Sequence, residues 1–250
     1  MEEPAALFDE DVPGFPGCAR CSHHLSGPIE QCVTCAHRTL TSREAPSCEL
    51  CAQLLMGKDP CHNRLCREPW RREFTRVRAI AMKQEGGPLE RTIHAYKYEG
   101  KWGRKVIFAR LLLGWLAQAI DPSEVDLIVA SPTPTGPPER RFPHTEAVID
   151  SAALQDVRRL RPFDQNEPRA IVAVGQRTRS AGSSLADKRA AAIQLVPLLR
   201  VPEPTLLTGR RVLVYDDVLT TGETMNVIAG ALRGAGAVEV SGVVLARQAW

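Results

Sequence analysis

Two adjacent carboxylates, Asp216 and Asp217, follow the apolar run Val212–Tyr215 and precede Thr220-Thr221-Gly222-Glu223-Thr224. Neighbouring acids at the end of a strand can accept hydrogen bonds from a cis-diol, and such charge-assisted bonds are about twice as strong as neutral ones. The loop offers consecutive backbone N–H groups and three threonine hydroxyls. Gly222 allows close backbone approach, and a helix from about Met225 to Gly234 would turn its positive dipole end toward a bound anion. The expected ligand is a ribose carrying a 5′-phosphate, with Asp216 and Asp217 on the hydroxyls and Thr220, Thr221, Gly222 and Thr224 on the phosphate. Glu223 belongs to the same loop but is expected to face outward, because a carboxylate against a phosphate is unfavourable. An Asp pair alone is equally a solvated acidic turn; its combination with Thr-Thr-Gly-x-Thr carries the specificity.

A second chemistry is concentrated at the start of the chain. All eight cysteines lie between Cys18 and Cys66: the pairs Cys18/Cys21, Cys32/Cys35 and Cys48/Cys51, each spaced Cys-x-x-Cys, then Cys61 and Cys66. A Cys-x-x-Cys turn places two thiolates on one tetrahedral ion, and two such pairs close a structural zinc site with no open position for substrate. Eight thiolates suit two Zn²⁺ ions. Sequential pairing would give Cys18, Cys21, Cys32 and Cys35 one ion and Cys48, Cys51, Cys61 and Cys66 the other; interleaved pairing and a disulfide framework are the alternatives. His23, His24, His37 and His62 lie in the same region and can replace a thiolate. The acidic, Pro-containing start lacks the basic and apolar regions of a secretory signal, which implies a cytoplasmic, reducing environment in which thiols stay reduced.

Positioning these residues requires a larger scaffold. The chain has 250 residues and a formal net charge of +3, so composition demands no nucleic-acid partner. No apolar run approaches the roughly 20 residues of a membrane span. The expected organisation is an acidic terminus (1–17), a cysteine-rich zinc module (18–72) and an α/β domain (73–250). In that domain strands are expected at Phe74–Met82, Val125–Ala130, Ile171–Val174, Val212–Tyr215 and Val238–Leu245. Helices are expected at Leu89–Tyr98, Arg104–Ile120 and His144–Leu160, the last with Arg158, Arg159 and Arg161 at its C-terminal end, where cations are favoured. Alternating strands and helices imply a parallel sheet with helices on both faces, and ligands of such sheets bind at the carboxyl ends of the strands. The loops Ser131–Pro138, Gln176–Ser184 and Asp216–Thr224 all fall there.

The cysteine-rich start, the segment Thr92-Ile93-His94-Ala95-Tyr96-Lys97-Tyr98-Glu99-Gly100 and the loop Val212–Thr224 together resemble the ComF family, over roughly Cys18 to Arg247. These are type I phosphoribosyltransferase-like proteins with an N-terminal zinc ribbon, some associated with DNA uptake. The resemblance implies that fold, phosphoribosyl pyrophosphate as ligand together with Mg²⁺, and transfer of ribose 5-phosphate to an acceptor with release of pyrophosphate. Backbone groups around Ser131 and Thr133, with Lys97, Arg140, Arg177 and Arg179, would neutralise the leaving charge. The chain departs from the family where Arg140-Arg141-Phe142-Pro143-His144 replaces the common Arg-Gly-Phe-Asn-Gln. Two other functions share the same sequence features. One is a non-catalytic DNA-uptake accessory that binds single-stranded DNA or an uptake partner through patches such as Arg71-Arg72 and Arg76–Arg78. The other is a sensor of phosphoribosyl pyrophosphate or a nucleotide. A homodimer is compatible with each.

Overall fold

The structure is a computed structural model that describes residues 47–55, 60–83, 85–86, 88–134, 142–156, 158–175 and 185–248. The calls at Cys18, Cys21, Cys32, Cys35, Arg140, Arg177 and Arg179 lie outside the described residues. In chain order the elements are the one-turn helix α1 (Arg64–Arg67), β1 (Val77–Lys83), α2 (Pro88–Tyr98), α3 (Lys105–Ala119), β2 (Leu127–Ala130) and α4 (His144–Gln155). There follow β3 (Val172–Ala173), α5 (Leu185–Leu195), β4 (Leu199–Arg200), β5 (Arg211–Leu219), α6 (Glu223–Gly234) and β6 (Glu239–Gln248).

Four strands form one parallel sheet in the order β1-β6-β5-β2. Alternation along β5 sends Leu213 and Tyr215 into one apolar layer, with Ile93, Tyr96, Phe108, Leu112 and Val148 from α2, α3 and α4. Val212 and Val214 enter the opposite layer with Met225, Ile228 and Leu232 of α6. Helices therefore cover both faces of the sheet, and its strands are apolar on both sides, as a parallel sheet requires.

Three expectations are revised. β5 does not stop at Tyr215; it runs through both carboxylates to Leu219, because β6 is long enough to pair with it up to Leu219–Arg247. The segment 171–174 does not join the parallel sheet; Val172 and Ala173 pair antiparallel with Arg200 and Leu199 in a separate two-stranded ladder. The fourth helix ends at Gln155 instead of Leu160, and Arg161 donates to Leu116 O at 2.8 Å and Ile120 O at 3.2 Å, capping α3.

The described part of the cysteine region is built into this fold. Leu65 of α1 is buried in the same layer as Phe74, Val77 and Met225, and Val77 N–H donates to Leu50 O at 2.8 Å.

Candidate functional site

A polar cleft of about 280 Å³ opens at the carboxyl ends of β2 and β5, lined by Lys97, Ser131, Thr133, His144, Lys188, Asp216, Asp217, Thr220, Thr221 and Thr224. Strand alternation sets the two carboxylates apart. Asp217 lies on the face of Tyr215, toward α2 and α4, and there it meets Lys97 Nζ and, at 3.0 Å, His144 Nε2. Its Oδ1 also accepts the Val218 N–H at 2.5 Å. Burial alone would raise the Asp217 pKa, but the positive charge of Lys97 overrides it, followed by the contact with His144, and holds the carboxyl well below the usual range. Asp216 has the opposite character: burial, then the neighbouring Asp217 charge, pushes it up to about 7. Desolvation works against the Lys97 ammonium, yet Asp217 raises its pKa above the ordinary lysine value. One acid is thus firmly ionised and the other is poised near neutrality, a division typical of sites that handle protons or charged ligands.

The loop after β2 is held from within the protein. Ser131 N–H donates to Tyr215 O at 2.7 Å. Thr133 gives its N–H to Glu146 Oε1 at 2.7 Å and its hydroxyl to Glu146 Oε2 at 2.8 Å. These backbone donors are therefore spent on the protein, and Thr133 faces a carboxylate. Tyr96 Oη donates to His144 O at 2.7 Å, which ties α2 to the first residue of α4 and sets the imidazole against Asp217. His144, Glu146 and Lys188 were not anticipated. The only signal for His144 was its place at the end of the departure from the family pattern, and Lys188 lies on a helix with no clear apolar stripe.

The loop Thr220–Thr224 rounds the end of β5 into α6. Gly222 has φ 86, a conformation open to glycine at little cost, and a Cβ there would sit 3.4 Å from Leu65 Cδ1. Glu223 is turned to the far side of the loop, where its carboxylate stands 3.5 Å from Arg64 Nη1. Asn63 Nδ2 donates to Thr221 O at 3.1 Å. Arg247, fully buried, donates to Leu219 O at 2.8 Å, to Cys51 O at 3.0 Å and to Thr220 O.

Behind that loop, Cys48, Cys51, Cys61 and Cys66 come together with their Sγ atoms all within 4.8 Å of one another. The Cys48–Cys66 and Cys51–Cys61 separations are 3.8 and 3.6 Å. A tetrahedral Zn²⁺ with Zn–S of about 2.3 Å requires S···S edges of about 3.8 Å. The thiol set therefore fits one structural zinc, with these four residues as its ligands.

The basic pairs have partners within the protein, Arg71 and Arg76 at its surface. Arg71 pairs with Glu68 at 2.5 Å and Arg76 with Glu124 at 3.5 Å. Arg72 donates to Phe74 O at 3.1 Å and Arg78 to Ala119 O at 2.7 Å. No helix among the described residues is long and apolar enough to cross a membrane. No family model and no curated protein matches the chain.

Proposed function

We propose that the chain is a phosphoribosyltransferase-type protein of the ComF kind, which binds Mg²⁺-phosphoribosyl pyrophosphate and transfers ribose 5-phosphate to an acceptor. One observation carries this reading: Asp216, Asp217, Lys97 and the Thr220–Thr224 loop line a single cleft at the carboxyl ends of the strands. The type I phosphoribosyltransferase fold is part of the same proposal, and the parallel sheet with helices on both faces supports it.

In this reading the hydroxyls of Thr220, Thr221 and Thr224 and the start of α6 receive the 5′-phosphate. Asp216, the less engaged of the two acids, accepts from the ribose diol. Asp217 holds Lys97 and His144 in place at the floor of the cleft. As the acceptor's lone pair forms the new bond to C1, the C1–O bond breaks and its electrons leave with pyrophosphate. The ionised Asp217, and Asp216 in its deprotonated form, favour the positive charge that develops on the sugar, and Lys97 and Lys188 are cations within the same cleft for the phosphates. Mg²⁺ carried by the substrate would supply charge compensation for the departing pyrophosphate.

Calorimetric titration of Mg²⁺-phosphoribosyl pyrophosphate into the wild type and the Asp216→Asn/Asp217→Asn variant tests the reading. Saturable binding that the double variant loses is the expected result. A wild type that takes up no heat from this ligand would overturn it.

A further inference from the structure

We infer that Asn63 and Arg247 are positioning residues for the anion loop, so that the turn carrying the zinc ligands forms the back wall of the phosphate site. The inference rests on the reading of Thr220–Thr224 given above and extends it to residues behind the loop.

Asn63 stands between two thiol ligands, Cys61 and Cys66, and is only 2% exposed. Its side chain does two things at once. Oδ1 accepts the Leu65 N–H at 2.9 Å, capping α1. Nδ2 reaches across to Thr221 O at 3.1 Å. Arg247 enters from β6 with 0% exposure and places one guanidinium on carbonyls of both partners, Cys51 on the metal turn and Leu219 and Thr220 on the loop. The carbonyls of Thr220 and Thr221 are thereby pinned toward the cysteine turn. In a trans peptide the C=O and the following N–H point in opposite directions. Fixing these two carbonyls therefore turns the Thr221 and Gly222 N–H groups away from the cysteine turn, to the side on which the cleft lies. Gly222 completes the fit, since its φ of 86 is a backbone conformation that L side chains rarely adopt. Without Asn63 and Arg247 the peptide planes would be free to rotate, and the donors would no longer be pre-aligned for an anion.

Two substitutions separate positioning from folding. Asn63→Asp and Asn63→Ser both keep an oxygen to cap Leu65 N–H, and neither keeps the amide donor for Thr221 O; the serine variant does so without adding charge. Zinc-loaded full-length protein is used, with zinc content and the ¹H–¹⁵N amide resonances of Thr221, Gly222 and β1 as readouts beside phosphoribosyl pyrophosphate affinity. Both variants are expected to retain zinc, to shift the Thr221 and Gly222 amides with β1 unmoved, and to bind phosphoribosyl pyrophosphate about tenfold more weakly, the factor carried by one hydrogen bond. Unshifted loop amides would overturn the inference, as would undiminished affinity or loss of zinc in both variants. If the wild type does not bind phosphoribosyl pyrophosphate, the proposed function fails, and the amide resonances still decide whether Asn63 positions the loop.

Discussion

At the scale of single residues, the site turns on two adjacent aspartates given opposite environments by the pleat of one strand. Asp217 is ionised because Lys97 and His144 face it, so replacing Lys97 leaves a carboxylate that is 7% exposed short of its main counter-charge. Lys97→Met is expected to lower unfolding stability by about 3 kcal/mol in urea titration, the range seen when one partner of a buried pair is removed. Asp216 supplies a pH signature of the other sign. Its folded-state pKa is raised to about 7, so its contribution is fully present below the ordinary carboxylate range and is lost as pH rises through 7. Asp216→Asn abolishes that loss, and its thermal midpoint should exceed the wild type's at pH 8 by more than at pH 5, by roughly 2–4 kcal/mol of stability. Equal differences at the two pH values would refute the assignment. The aspartates and Lys97 were legible in the sequence because their spacing matches a known pattern. His144 was not, because its role depends on Tyr96, 48 residues away in the chain, fixing the backbone that carries it.

At the scale of elements, the sheet and its covering helices were legible from apolar runs and periodicity, and element ends were not. α4 was expected to continue to Leu160 because nothing in Asp156–Leu160 forbids a helix locally. The chain leaves the helix there because Asp156 Oδ2 accepts the Arg161 N–H at 2.8 Å and Arg161 is drawn onto the carbonyls at the C-terminal end of α3. Arg161→Ala is therefore expected to cost about 1–2 kcal/mol in chemical denaturation, whereas alanine at the exposed Arg158 should change stability by less than about 0.5 kcal/mol. A second element-scale constraint lies in β6. A Cβ on Gly242 would fall 2.9 Å from Met225 Cε and 3.1 Å from Val77 Cγ2, where β1, β6 and α6 converge. Gly242→Ala should destabilise by about 1–3 kcal/mol through overpacking, and an unchanged denaturation midpoint would show that Met225 simply moves aside.

At the scale of the whole molecule, the cysteine turn is a structural member of the α/β core rather than an appended ribbon. Cysteine spacing announced a metal module, but it could not announce where the module docks, because docking depends on contacts such as Asn63–Thr221 and Arg247–Cys51 that span 158 and 196 residues. The consequence concerns metal removal. In an independent ribbon, chelation would melt the module and leave the rest of the chain unaffected. Here the thiol cluster holds in place Leu65, at 1% exposure within the core layer of α6, and the Leu50 carbonyl that starts β1. Losing a zinc ion held by this cluster would withdraw an apolar side chain from that layer, at a cost of about 2–4 kcal/mol. For a chain of this size, that corresponds to a fall of about 5–15 °C in the unfolding midpoint of the α/β domain itself. Scanning calorimetry with and without a strong chelator reads this directly. A lowered main transition is expected, restored by stoichiometric Zn²⁺. A main transition that stays at its original temperature while a small separate one disappears would show that the turn folds on its own and only rests against the sheet.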